Sequence, residues 1–120
     1  MKSVEIGNFT IKKNSRPLIV GEVGINHNGD LNKAFEMIEI AKKIGLDAVK
    51  FQTFKAQEFC GDSSQTYTYK SQGKEITESM LDMFSKYEFS DDEWFKIKNK
   101  CDLEKITFIS TPQNYSDLEL

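Results

Sequence analysis

The sequence predicts an α/β fold, the N-terminal part of a (β/α)8 barrel entered through a short N-terminal β-hairpin. Three observations carry that expectation. Short apolar runs recur at residues 18–23, 48–54 and 107–112; stretches with a helical apolar period lie before the second and third of them; and the first strand, helix and strand are joined by connections of only a few residues. A repeating β/α order with strands apolar on both faces belongs to a parallel sheet.

The hairpin is read from VEIGNFTIK, residues 4–12, whose period-two alternation runs around Gly7-Asn8, with Pro17 closing the unit. Residues 18–23 form the first strand of the main fold, nearly all apolar and therefore expected to be covered on both faces. Asp30 is a good N-cap for a helix over residues 31–44. It places Leu31, Ala34, Phe35, Ile38 and Ala41 on one face, with Asn32, Glu36, Glu39 and Lys43 on the other. Gly45 supplies the stop.

AVKFQTF, residues 48–54, is the second strand. The segment from Lys55 to Phe89 is a long insertion, polar through GDSSQTYTYKSQGK and then helical around residues 78–86; long connections of this kind often cover a functional face. Ser90 and Glu93 form a capping box for the next helix, with Trp94, Ile97 and Cys101 on one face. TFISTP, residues 107–112, is the third strand, and Ser116 has the character of an N-cap for a further helix. Three parallel strands with both edges open make a poor independent domain. Residues 1–120 are therefore expected to be the first portion of one larger β/α domain, for which about 250 residues are typical of a barrel.

Composition narrows the function. With 38% hydrophobic residues and nine Phe the chain has material for a core, and its net charge of −3, with Lys and Arg scattered among Asp and Glu, offers no basic patch for nucleic acid or anionic lipid. Cys60 and Cys101 lie far apart and match no metal or redox spacing, so they are expected to be reduced thiols, Cys101 in the core. No apolar run approaches a signal peptide or a membrane span, and the expected compartment is the cytoplasm.

In parallel β/α folds the active site lies beyond the carboxyl ends of the strands. Glu22, Lys50, Gln52, Ser110 and Thr111 all fall there and are expected to share one rim. Lys50 stands between Val49 and Phe51 in an otherwise apolar strand, where an ammonium needs an anion. That anion is either Glu22, as a structural pair, or the phosphate or carboxylate of a ligand. Glu22 correspondingly is a structural partner or a group that binds a hydroxyl or moves a proton. Gln52 points to the same face as Lys50, and Thr111, next to Pro112, either ends its strand or binds phosphate oxygens. His27 is the chain's one histidine; its expected role is hydrogen bonding within the Asn26–Asp30 turn. Phe51, Phe54, Trp94 and Phe108 are read as core.

GEVGINHNGD, then GLDAVKFQTFKA, then ITFISTP, in that order and spacing and together with the VEIGNFTI hairpin, resemble the N-terminal part of the sialic acid synthase family. That family includes the synthases of N-acetylneuraminic, legionaminic and pseudaminic acids. The resemblance implies a (β/α)8 TIM barrel that condenses phosphoenolpyruvate with an N-acetylated amino sugar, N-acetylmannosamine or a 2,4-diacetamido analogue. The products are a nine-carbon 2-keto sugar acid and phosphate. It implies a divalent metal, Mn2+ or Mg2+, whose ligands lie outside this chain. Lys50 would bind the negative charge of phosphoenolpyruvate, Gln52 and Thr111 would assist at phosphate, and Glu22 would be a polar or acid-base group near the reacting centre. The version KFQTFK, with Phe51, looks more like the legionaminic acid and spore-coat polysaccharide branches. Family members continue through further β/α units to an antifreeze-like C-terminal domain, which closes the partner's site in a homodimer. That domain is not within these residues, so a 120-residue piece is expected to be inactive by itself. A noncatalytic binding or assembly fragment, or part of an unrelated phosphate-binding β/α barrel, are the other readings.

Overall fold

A computed structural model describes residues 2–120. β1 (Val4–Ile6) and β2 (Phe9–Ile11) pair antiparallel around the positive-φ Gly7, as the alternation predicts. The hairpin rests against the beginning of the third main strand: a Cβ on Gly7 would stand only 2.2 Å from Thr107 Oγ1. Arg16 ties the hairpin to the sheet, its guanidinium bonded to both Asp47 oxygens at 2.8 and 2.6 Å and lying over the Phe9 ring.

The main sheet has three parallel strands in the order β3 (Val20–Gly24), β4 (Ala48–Thr53) and β7 (Thr107–Pro112). α1 (Leu31–Lys43) connects β3 to β4, and α4 (Asp91–Glu104) precedes β7. Both helices bury the same side of the sheet: Ala34, Ile38 and Ala41 of α1 meet Trp94, Ile97 and Cys101 of α4 over Val49 and Phe51. Adjacent strands in sequence order with helices on one side make a singly wound sheet. The Asp30 cap accepts from the Asn32 and Lys33 amides, Gly45 takes φ +84 just past α1, and the Ser90–Glu93 capping box forms in both directions.

The strand beginning at residue 18 is a correction. β3 starts at Val20 rather than at residue 18, and within the described residues Ile19 and Val20 are 44% and 37% exposed, Val20 sharing with Glu22 the sheet face that α1 and α4 do not cover. Phe51 and Trp94 are buried in the main core with Phe108 packed against it, while Phe54 joins Phe59 and Phe84 in a separate aromatic group.

The insertion holds more order than its polarity suggests. After α2 (Ala56–Phe59), strands β5 (Thr66–Ser71) and β6 (Lys74–Ser79) form a second antiparallel hairpin, turning through Gln72 and Gly73 at φ +50 and +78. Two successive positive-φ residues are the requirement of the tight primed turn. α3 (Met80–Ser85) begins two residues later than expected, since Glu78 and Ser79 finish β6 and Ser79 caps the helix. At the other end, residues Ser116–Leu118 form a single 3-10 turn. Ser116 is not its cap; its Oγ bonds Glu58 Oε2 at 2.7 Å instead.

Candidate functional site

Strand alternation sorts the polar residues. Val49, Phe51 and Thr53 of β4 face the helices, so Lys50 and Gln52 face the opposite side. Register then selects their neighbours. Glu22 is the partner of Lys50 on β3, and Ile109 and Thr111 are the partners of Lys50 and Gln52 on β7. Glu22, Lys50, Gln52 and Thr111 therefore stand together at the carboxyl ends of three strands, on the side away from α1 and α4.

Within that group one direct contact is made: Lys50 Nζ lies 2.7 Å from Glu22 Oε2. The two side chains are 39% and 50% exposed. Within the described residues, an ion pair so open to solvent contributes at most about 1 kcal/mol to folding.

Ser110 does not belong to the group, which corrects the five-residue expectation. It pairs with Phe51 on β7's helix-facing side, where its hydroxyl lies 2.5 Å from Thr53 Oγ1. One residue of strand is enough to move a side chain to the other face.

Two residues join the site that the sequence reading did not single out. The ladder slips between Glu22 and Gly24, so that Gly24 rather than Val23 opposes Phe51. This is a β-bulge, a device that re-aims side chains at the end of a strand. Gly24 takes φ +55, and a Cβ there would lie 3.5 Å from Glu22 Oε1, 3.8 Å from Gln52 Nε2 and 3.9 Å from Asn26 Nδ2. Three polar ends thus converge on one bare Cα. Asn26 is held there by its own Nδ2, which donates to the Val23 carbonyl at 2.9 Å, beside its backbone amide, which donates to the same carbonyl at 3.0 Å. Gly24 and Asn26 could have been found from their place directly after the first strand, but the bulge that unites them is not written in any single residue.

His27 has the turn role that was expected: its Nδ1 accepts from the Gly29 amide at 3.0 Å. It is 1% exposed, and its ring stacks on Phe89 with centroids 4.3 Å apart. Burial lowers its pKa to about 4, partly offset by the Gly24 backbone, so the imidazole is neutral at ordinary pH.

Among the described residues no three His, Cys, Asp or Glu side chains gather around a position that could hold a metal ion. The site as it stands offers one ammonium, one carboxylate, two side-chain amides and one hydroxyl. That set suits an anionic ligand rich in oxygen.

Comparison with known proteins agrees with this architecture. The NeuB family pattern matches residues 37–120. The N,N'-diacetyllegionaminic acid synthase of Campylobacter jejuni is 38% identical over 108 residues, which are 88% of this chain and 31% of that protein. The spore coat polysaccharide biosynthesis protein SpsE of Bacillus subtilis is 32% identical over 111 residues, 92% of this chain and 29% of its own length. The chain thus spans about a third of these relatives. Among solved structures, the N-acetylneuraminic acid (sialic acid) synthetase of Leptospira borgpetersenii superposes with a TM-score of 0.79 at 27% identity, covering 98% of this chain and 36% of that one. The B. subtilis SpsE structure superposes at 0.68, again with 27% identity, covering 98% of this chain and 30% of its own. With the hairpin, the three parallel strands and the matched pattern in agreement, the chain belongs to the NeuB family.

Proposed function

We propose that this chain supplies the first three strands of a (β/α)8 barrel enzyme that condenses phosphoenolpyruvate with an N-acetylated amino sugar. The observation that carries the reading is the Glu22–Lys50 pair, exposed beside Gln52 and Thr111 at the carboxyl ends of the strands. In a β/α barrel that end is where chemistry is done. The legionaminic and sialic acid synthases to which the chain is similar support the same class of reaction.

In this reaction C3 of phosphoenolpyruvate attacks the aldehyde carbon of the open-chain sugar. Water adds at C2, and phosphate leaves the resulting tetrahedral intermediate to give a nine-carbon 2-keto acid. Lys50 meets the negative charge of phosphoenolpyruvate. Gln52 and Thr111 donate hydrogen bonds to phosphate oxygens. Glu22 holds the Lys50 ammonium in place before the substrate arrives, and its carboxylate is then available to accept a proton near the reacting carbons. Fixed donors and charges of this kind need little rearrangement when charge moves in the transition state.

A divalent cation, Mn2+ or Mg2+, belongs to the proposal; when bound it would polarise the sugar aldehyde as a Lewis acid. The described residues do not fit such a centre: they gather no three suitable ligands, and the chain's single histidine is turned into the core. Its ligands are therefore assigned to the remainder of the protein, and no step here is routed through it. Homodimer formation and a cytoplasmic location complete the proposal; no helix among the described residues is long and apolar enough to cross a membrane.

The test is phosphate release from phosphoenolpyruvate by the intact protein with Mn2+, comparing N-acetylmannosamine with its 2,4-diacetamido trideoxy analogue. The reading expects release that depends on the sugar. The similarity to legionaminic acid synthases favours the diacetamido sugar. No release with either sugar overturns the reading and returns the weight to a noncatalytic module or an unrelated phosphate-binding barrel.

A further inference from the structure

The turn over residues 25–30 divides its side chains between the site, the core and the start of α1. Asn26 points to the site and holds the bulge carbonyl of Val23. His27 goes into the core, Asn28 and Gly29 turn through φ +55 and +70, and Asp30 caps α1. Two of the contacts that fix the turn from outside come from the connection between α3 and α4. His27 stacks on Phe89, and Gly29 lies so close to the Lys86 carbonyl that a Cβ would stand 2.0 Å from that oxygen and 3.1 Å from its carbon. Lys86 also reaches the other way, its ammonium bound to Glu78 at the end of β6, whose Oε1 accepts from Tyr69 of β5 at 2.8 Å. A continuous set of contacts therefore runs from the β5–β6 hairpin through residues 86–89 to the turn that follows Glu22 and Gly24.

We propose that His27 is a positioning residue for the site: its Nδ1, accepting from the Gly29 amide, shapes the 25–30 turn against residues 86–89 and thereby sets Asn26 and the Glu22–Gly24 bulge. The proposal rests on the assignment of Glu22 and Lys50 to the reaction centre. His27 lies with Phe51 and Phe89 on the helix side of the sheet, across from the Glu22 and Lys50 side chains, and meets the site only at the Gly24 backbone, so it acts through the turn. Its two halves do different work. The ring fills the space beside Phe89 and Phe51, which is packing. The Nδ1 acceptor orders the backbone, which is geometry. A displacement of about 1 Å at a reacting group can cost about 100-fold in rate, so a loss of order in the turn reads out as turnover.

The two halves can be separated in the intact protein. His27→Phe keeps a ring against Phe89 and removes the acceptor. His27→Asn removes the ring and keeps an acceptor of the kind that bonds the amide two residues on. The expected result is a crossing of effects: His27→Phe keeps most of the melting temperature and loses about 10-fold or more in kcat with a smaller change in KM for phosphoenolpyruvate. His27→Asn loses more stability and keeps kcat within about threefold. Activity that merely follows stability across the two variants, or wild-type turnover in His27→Phe, overturns the proposal.

If His27→Phe does not fold, His27→Asn decides alone, and a loss of about 10-fold or more in its kcat overturns the assignment. If the wild-type protein releases no phosphate at all, the reaction assignment has failed, and the clamp is read separately by amide hydrogen exchange. The Gly29 amide must then exchange faster in His27→Phe than in wild type while residues 48–53 are unchanged. Equal exchange overturns the clamp itself.

Discussion

Lys50 Nζ lies 2.7 Å from Glu22 Oε2 across two parallel strands, at positions that the ladder places directly opposite each other. Within the described residues the pair stands on the sheet face away from α1 and α4, where a ligand can reach both members.

Lys50→Ala in the intact protein is expected to raise KM for phosphoenolpyruvate about 10- to 100-fold, the loss of one charge-assisted hydrogen bond or somewhat more. The fold is expected to stay intact, because Lys50 takes no part in the packing of α1 and α4 on the sheet. Steady-state kinetics over a range of phosphoenolpyruvate concentrations checks this; unchanged saturation removes Lys50 from the substrate site.

Glu22→Gln keeps the shape of the side chain and removes its charge. Turnover is expected to fall about 100-fold, in the range of lost acid-base assistance, with little change in stability. Wild-type turnover would reduce Glu22 to the structural partner of Lys50.

Ser110 and Thr111 are neighbours with opposite fates. Thr111→Ala is expected to weaken phosphoenolpyruvate binding and leave stability alone. Ser110→Ala is expected to leave binding alone and cost about 1 kcal/mol, since it removes the partner of the buried Thr53 hydroxyl. Denaturant melts and KM values for the two variants check the sorting of the strand faces, and a binding defect in Ser110→Ala contradicts it.

Asp47 joins the entry to β3 with the hairpin. The Arg16 guanidinium, and then the Ile19 amide, hold its pKa down at about 2 against an ordinary 3.8. A depressed carboxylate stabilises the fold above its ordinary pKa and loses that contribution as the pH falls toward the folded value. Melting temperatures of wild type and Asp47→Asn are therefore expected to differ at pH 5, to converge below about pH 3.8 and to meet near pH 2. A gap that stays constant across that range would show that the carboxylate's charge is not what Arg16 and Ile19 recognise.

Much of the fold was legible because its signals are local. Asp30 and Gly45 bracket α1, and Ser90 with Glu93 opens α4, through bonds within a single turn of chain. The β5–β6 hairpin was missed because its signal is weak in hydropathy: TYTYKS and KEITES are mostly polar, and only the Thr and Tyr alternation and the Gln72-Gly73 turn mark it. At the site, Glu22, Lys50, Gln52 and Thr111 could be chosen because strand ends and alternation are readable along one chain. Ser110 was misassigned because proximity to a strand end says nothing of face.

By itself the sequence determined the first hairpin, helices α1 and α4 and the approximate place of each parallel strand, since caps, turns and apolar periods act over a few residues. Only the tertiary structure decided which strand ends meet. The register of β3 on β4, the bulge that brings Gly24 opposite Phe51, and the close approach of Gly29 to Lys86 are relations between segments distant in sequence. They are set by how two surfaces pack, and packing depends on shapes that no single stretch of the chain contains.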